Sequence, residues 1–85
     1  MKRIQWDPIK NLELMQNREI SFEELLNAKF LGIEKHPRKA HQRYMVFEYK
    51  KYVWVVPYVL YGEEYFLKTA FPSRKHTKKY LGGSR

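Results

Sequence analysis

Residues 52–60 constrain the fold more than any other segment of this chain. They are β-branched and aromatic, and over residues 53–56 both faces of the predicted strand are apolar, which is typical of a central strand covered on both sides. Residues 42–49 alternate in polarity and predict a second strand, joined to the first by a two-residue turn at residues 50–51. Pro57 cannot donate to a ladder, so we expect a bulge or a loss of pairing there.

Two helix starts lie in the first third of the chain. Asp7 precedes Pro8, and this pair predicts a helix because Asp accepts free backbone N–H groups and Pro is pre-set for the first helical position. Ser21 is followed three residues later by Glu24, which is the spacing of a capping box. The predicted helices span residues 8–17 and 22–28.

Apolar residues support both helices. Ile9, Leu12 and Met15 recur at helical spacing in the first one. Ile20 and Leu25 stand where the hydrophobic staple of the second helix would pack.

The remaining elements complete an α+β fold. Further strands are predicted at residues 4–6, 30–34 and 65–71, and a last helix at residues 74–81. Ser73 is the predicted cap of that helix, which ends at Gly82. The order is β-α-α-β-β-β-β-α, and we expect a twisted antiparallel sheet with its helices on one side. One domain is expected over residues 1–81, with a flexible tail at residues 82–85.

The positive charge is concentrated in the second part of the chain. Of 17 Lys and Arg and 9 Asp and Glu residues, residues 1–34 hold five basic and six acidic ones, and residues 35–85 hold twelve basic and three acidic ones. Such an excess favours a face that binds nucleic acid or an acidic partner, although a solvated surface is the plain alternative.

The composition also excludes several classes of protein. With no cysteine, the chain has neither disulfides nor thiolate metal sites, and its scattered His residues do not suggest a metal site. The longest apolar stretch is far too short for a membrane helix, and no signal peptide is apparent. We therefore expect a cytoplasmic protein without a metal or cofactor and without membrane contact.

Cations, histidines and interleaved aromatics suit metal-free cleavage of RNA. In that reaction the 2′-hydroxyl attacks the neighbouring phosphate, a His transfers protons, and Lys and Arg neutralise the charge of the transition state. Exposed Tyr or His side chains can stack on unpaired bases. The same cations could equally bind phosphate or an acidic partner without any reaction.

Three segments in one order resemble the BrnT family of toxins. They are Trp6-Asp7-Pro8 with Lys10-Asn11, the Ile-Ser-Phe-Glu-Glu of residues 20–24, and the Leu-Lys-Thr-Ala-Phe-Pro-Ser-Arg-Lys of residues 67–75. The resemblance implies a RelE-like fold and an endoribonuclease toxin of a type II toxin–antitoxin pair that inhibits translation. It also implies a cognate antitoxin, usually a ribbon-helix-helix DNA-binding protein, through which alone operator DNA would be bound.

The resemblance also indicates site residues. Arg43 matches the basic position at the start of the family's third strand, and Arg74 matches the Arg of its Ser-Arg-Lys ending. Antiparallel pairing is expected to bring the Arg43 strand, the Lys68 strand and the start of the last helix to one side of the sheet. The catalytic candidates are Arg43, Arg74, Lys68, Tyr80 and, by their chemistry and not by the family motif, His41 and His76. The RNA-binding candidates are Lys35, Arg38, Lys39, Lys75, Lys78 and Lys79. Core packing of the last helix is the alternative role for Tyr80.

Two other functions remain open. One is a non-catalytic module that binds RNA or an antitoxin. The other is a DNA-binding regulator, which is less favoured because no recognition helix with paired base-reading residues is evident.

Overall fold

The α+β class predicted from the sequence is confirmed by a computed structural model, which describes residues 3–82. The elements are β1 (Arg3–Trp6), α1 (Pro8–Arg18), α2 (Phe22–Leu26), β2 (Lys29–Lys35), β3 (Gln42–Tyr49), β4 (Tyr52–Tyr61), β5 (Glu64–Leu67), β6 (Phe71–Pro72) and α3 (Arg74–Leu81). Of the tail predicted at residues 82–85, residues 83–85 lie outside the described residues, and Gly82 is the C-cap of α3.

The six strands form one sheet in the order β1-β5-β4-β3-β2, and β6 pairs with β4. β1 runs parallel to β5, with Arg3 opposite Glu64, while the other pairs are antiparallel. The prediction of an antiparallel sheet is therefore wrong at this edge. A parallel pair needs a long crossover, and here the whole segment from α1 to β4 supplies it, which no local turn signal could show.

The two faces of the sheet are covered by different helices. On the first face, Phe22 and Leu25 of α2 and Leu14 of α1 share one core cluster with Met45 and Phe47 of β3. We call this the α1/α2 face. Because side chains alternate along a strand, Tyr44 and Val46 point to the opposite face.

α3 lies on that opposite face, which we call the α3 face. The His76 ring of α3 is 6.3 Å from the Tyr44 ring, and the backbone N–H of Val53 donates to Thr77 Oγ1 at 2.9 Å. The prediction that all helices lie on one side of the sheet is therefore wrong. α3 is strongly basic, but its polar residues pack on the second face of the sheet. The two covered faces explain why β4 is apolar on both, and Val53, Val55 and Val56 are buried as predicted.

The helix caps predicted from sequence are present. Asp7 accepts the backbone N–H of Ile9 at 2.9 Å, and Ser21 and Glu24 form the reciprocal hydrogen bonds of a capping box. Ile20 and Leu25 both belong to the core cluster, as the staple requires. α2 is shorter than predicted and ends at Leu26.

The apolar triplet of α1 does not face the core. Ile9, Leu12 and Met15 are 66, 57 and 49% exposed, whereas Asn11 and Leu14 are buried. Asn11 accepts the backbone N–H of Phe22 and donates to Glu23, so a polar side chain joins the two helices. The helix was predicted correctly from this spacing, but its buried side was not.

Pro57 interrupts the sheet on one side only. It pairs in register with Tyr44 of β3, and on its other side its carbonyl accepts the backbone N–H of Lys68 at 2.8 Å. Because the N–H and C=O of a strand residue point the same way, the missing donor of Pro57 faces the interval between β5 and β6. The strand predicted over residues 65–71 is therefore broken, with β5 ending at Leu67 and β6 beginning at Phe71.

The turn between β3 and β4 matches the prediction. Lys50 and Lys51 have φ values of 53° and 65°, the left-handed backbone that a two-residue hairpin of type I′ needs.

Across residues 3–82, no helix is long and apolar enough to cross a membrane.

Candidate functional site

A pocket of about 380 Å³ opens on the α3 face, where the end of β2, the β2–β3 loop, β6 and the start of α3 meet. It is lined by Glu34, Lys35, Pro37, Tyr44, Phe71, Ser73, Lys75, His76 and Lys79. A second pocket, of about 370 Å³, lies between α1 and Thr69 and has no histidine in its lining. We place the candidate site in the first pocket because a network of titratable side chains forms part of its wall.

His76 is the centre of this network. Ser73 caps α3 by accepting the backbone N–H of His76 at 3.1 Å, so the His76 side chain lies in the first turn and faces the sheet. Its Nδ1 is 2.8 Å from Ser73 Oγ, and its Nε2 is 3.0 Å from Glu34 Oε1. The side chain is 11% exposed, so both nitrogens are held in a largely enclosed position.

Glu34 collects three donors from α3. Besides His76, Tyr80 donates its hydroxyl to Glu34 Oε2 at 2.6 Å, and Lys79 Nζ donates to the same oxygen at 2.9 Å. Lys79 is 59% exposed, whereas Glu34 is 20% exposed. The carboxylate therefore anchors α3 to the edge strand β2.

These contacts set two protonation states. Partial burial alone would raise the pKa of Glu34, but the hydrogen bonds from its donors outweigh this effect and lower the pKa to about 2. The hydrogen bond to Glu34, and then partial burial, raise the pKa of Tyr80 to about 12. At neutral pH Glu34 is thus ionised and only accepts, while Tyr80 keeps its proton and donates.

The state of Glu34 determines the tautomer of His76. An ionised carboxylate cannot donate, so the hydrogen between the two groups belongs to His76 Nε2. In the neutral imidazole Nδ1 then has no hydrogen and accepts the hydroxyl of Ser73. The basic nitrogen of His76 consequently faces Ser73, at the wall of the pocket.

An aromatic group extends the site toward the loop. The Tyr44 ring lies between two histidine rings, with centroids 5.3 Å from His36 and 6.3 Å from His76. His36 Nδ1 accepts the backbone N–H groups of Arg38 and Lys39 at 3.0 and 3.1 Å, which orders the loop that carries these cations.

The structure gathers only some of the predicted site residues. Around the pocket lie His76, Tyr80, Lys35, Lys75 and Lys79, of which Tyr80 reaches it through Glu34. Arg74 and Lys78 are exposed on α3, and Arg38, Lys39 and His41 lie in the adjoining loop.

Arg43 and Lys68 are placed elsewhere. Arg43 precedes Tyr44 in β3 and pairs with Tyr58, a residue of the α1/α2 core, so strand alternation puts it on the face opposite α3. Lys68 follows β5, with its Nζ 5.5 Å from the centroid of the Phe66 ring. The expectation that the Arg43 strand and the start of α3 present their cations on one side of the sheet is wrong.

Sequence reasoning missed Glu34 and Tyr44 and assigned Ser73 only a capping role. Glu34 and Tyr44 precede α3 by about 30 to 40 residues along the chain, and no motif links them to it. For Ser73, the spacing to His76 was the available signal, since a His three residues after a cap can turn its ring back onto the cap. Within residues 3–82, no three His, Asp or Glu side chains cluster so that they could hold a metal ion.

Comparison with known proteins supports the fold and little beyond it. No protein-family model matches the sequence, and no curated protein matches it either. Among solved structures, the crystal structure of the Brucella abortus ribonuclease toxin BrnT is similar, with a TM-score of 0.53 and 19% identity over 86% of this chain and 97% of that one. The chain therefore has a BrnT-like fold.

Proposed function

We propose that this protein, whose fold is that of a ribonuclease toxin, is itself an endoribonuclease toxin that inhibits translation and is neutralised by a cognate antitoxin. The observation that carries the proposal is His76, which is enclosed, hydrogen-bonded at both ring nitrogens and set in the wall of a pocket bordered by lysines.

The chemistry is cleavage by the RNA's own 2′-hydroxyl. His76 accepts a proton as this hydroxyl attacks the adjacent phosphorus, and Glu34 stabilises the imidazolium that results. Lys35 and Lys75, which line the pocket and have no carboxylate partner in residues 3–82, neutralise the charge that develops on the phosphate oxygens. The reaction needs no metal ion.

The exposed cations around the pocket bind the rest of the RNA chain. They lie in the β2–β3 loop and along α3, and they are Arg38, Lys39, Arg74 and Lys78. Cations hold phosphates without regard to sequence, and the neighbouring aromatic rings favour unpaired bases. Arg43, across the sheet, is not part of this surface.

The same cationic face is the natural contact of an antitoxin. A partner with an acidic surface would cover the pocket and stop cleavage by occlusion. We propose that this partner is a ribbon-helix-helix protein, and that the complex contacts operator DNA only through it.

The test is RNA cleavage by the purified protein in EDTA. We expect fragments with 2′,3′-cyclic phosphate ends, and a loss of about 100-fold or more in rate for His76→Gln. His41→Gln is the matched control, since His41 lies exposed in the loop. Thermal unfolding of each variant shows whether it is folded.

Each result separates the hypotheses. Equal cleavage by His76→Gln and the wild-type protein would show that the catalytic site is not in this pocket. Loss of cleavage only in His41→Gln would place the catalytic site in the loop. Binding of RNA without any cleavage would favour the alternative of a non-catalytic module.

A further inference from the structure

We propose that Ser73 is a catalytic residue that carries the proton of the RNA 2′-hydroxyl to His76. The inference rests on the proposed ribonuclease function and assigns the first proton transfer to a definite pair of atoms, Ser73 Oγ and His76 Nδ1, which are 2.8 Å apart.

The route follows from which nitrogen is free. His76 Nε2 is held by Glu34 at 3.0 Å, on the side away from Ser73, so only Nδ1 can accept a proton. Nδ1 in turn is occupied by the Ser73 hydroxyl. Ser73 and His76 both line the pocket, but His76 has a relative exposure of 9% whereas Ser73 is half-buried, so Ser73 is the more accessible of the two residues.

The backbone fixes the direction of the serine hydroxyl. Ser73 Oγ accepts the backbone N–H of His76 at 3.1 Å, which uses one of its lone pairs, and its hydrogen points to Nδ1. One lone pair remains and can accept a hydrogen bond from a substrate hydroxyl. The cap thus holds Ser73 in the orientation that a proton relay requires.

The step balances as follows. The 2′-hydroxyl gives its proton to Ser73 Oγ while Ser73 passes its own hydroxyl proton to His76 Nδ1, so the serine is unchanged and His76 becomes an imidazolium. The 2′-oxygen bonds to phosphorus, the bond from phosphorus to the 5′-oxygen breaks, and that oxygen takes a proton from a water molecule at the mouth of the pocket. The hydroxide that remains is neutralised when the imidazolium of His76 returns its proton through Ser73, which restores both side chains. The products are a 2′,3′-cyclic phosphate and a free 5′-hydroxyl.

A pair of substitutions separates the relay from the cap. Asn is as good an N-cap as Ser but has no hydroxyl, whereas Thr keeps both the cap and the hydroxyl. We therefore compare Ser73→Asn with Ser73→Thr, after confirming by thermal unfolding that both retain the wild-type fold.

The experiment is single-turnover cleavage of a single-stranded RNA oligonucleotide, in H₂O and in D₂O. We expect Ser73→Asn to cut about 100-fold more slowly or worse, and Ser73→Thr to cut at least about tenfold faster than Ser73→Asn. The wild-type rate should depend on the deuterium fraction with the curvature of two protons in flight. Equal rates for Ser73→Asn and wild type, or a linear dependence, would overturn the relay.

A second measurement does not depend on activity. Nitrogen chemical shifts of His76 in the wild-type protein should show a hydrogen on Nε2 and none on Nδ1 when the ring is neutral, and the opposite tautomer would overturn the relay by itself. If the wild-type protein cuts no RNA, the proposed function fails, whereas cleavage that survives in Ser73→Asn leaves that function intact and refutes only the role of Ser73.

Discussion

Replacing Glu34 by Gln should destabilise the protein in a way that depends on pH. The hydrogen bonds from Tyr80, Lys79 and His76 hold the pKa of Glu34 at about 2 instead of 4.5. At about 1.4 kcal/mol per pKa unit this shift corresponds to an upper limit of about 3 kcal/mol. Because Lys79 is 59% exposed and solvent screens its charge, we expect about 1–2 kcal/mol.

The sign of the pH dependence follows from a lowered pKa. Above pH 4.5 the carboxylate is ionised in the folded and the unfolded protein, and its contribution to stability is complete. As the pH falls through 4.5 toward 2 the unfolded chain takes up the proton first, so the contribution disappears, and more than half of it has gone by pH 3.

Urea unfolding of the wild-type protein and Glu34→Gln at pH 7 and pH 3 measures this effect. The difference in free energy of unfolding should be largest at pH 7 and should shrink by more than half at pH 3. Other carboxylates titrate in both proteins and cancel. Glu13→Gln, whose side chain is 53% exposed beside Lys10, is the control and should change stability by less than about 0.5 kcal/mol. A difference for Glu34→Gln that is the same at both pH values would refute the reasoning.

Three further results are expected. Replacing Lys50 by Asn and Lys51 by Gly should raise the free energy of unfolding by about 1 kcal/mol, because both positions have left-handed backbone; an unchanged urea midpoint would contradict this. Leu14→Ala, buried in α1, should lower the free energy of unfolding by about 2–5 kcal/mol, and Leu12→Ala, 57% exposed on the same helix, by less than about 0.5 kcal/mol. Similar losses in the same assay would show that the assignment of the α1 faces is wrong. If the pocket binds RNA, Lys75→Ala should reduce by about 0.7 the slope of log affinity against log salt for single-stranded RNA, and an unaltered slope would place Lys75 outside the contact surface.

Local signals in the sequence were enough to predict most helices and strands, but not how these elements pair and pack. The caps at Asp7 and Ser21 and the turn at residues 50–51 depend on neighbours within four residues, and all three are present as predicted. The pairing of β1 with β5 and the position of α3 depend on residues 24 to 61 positions apart, which no periodicity reveals. The break after Leu67 is an intermediate case, since its cause is Pro57 on the neighbouring strand.

The candidate site, too, could be predicted only where residue type alone was informative. His76 and the lysines of α3 were identified by residue type, because proton transfer and phosphate binding need imidazole and cations. Their partner Glu34 could not be found in this way, since it lies in a strand whose register with α3 is set only by the fold. Arg43 was selected by residue type but does not belong to the site. It precedes Tyr44 in β3, so its side chain lies on the α1/α2 face and not on the α3 face.

The parallel pairing of β1 with β5 has a consequence for biosynthesis. β1 is translated well before its partner strand, which begins at Glu64, 61 residues after Arg3. At about 5–20 residues per second the ribosome needs about 3 to 12 s to make that stretch, and for this time β1 has no strand beside it. Ser73 and His76 follow β5 along the chain, so the pocket can be completed only after β1 has gained its partner.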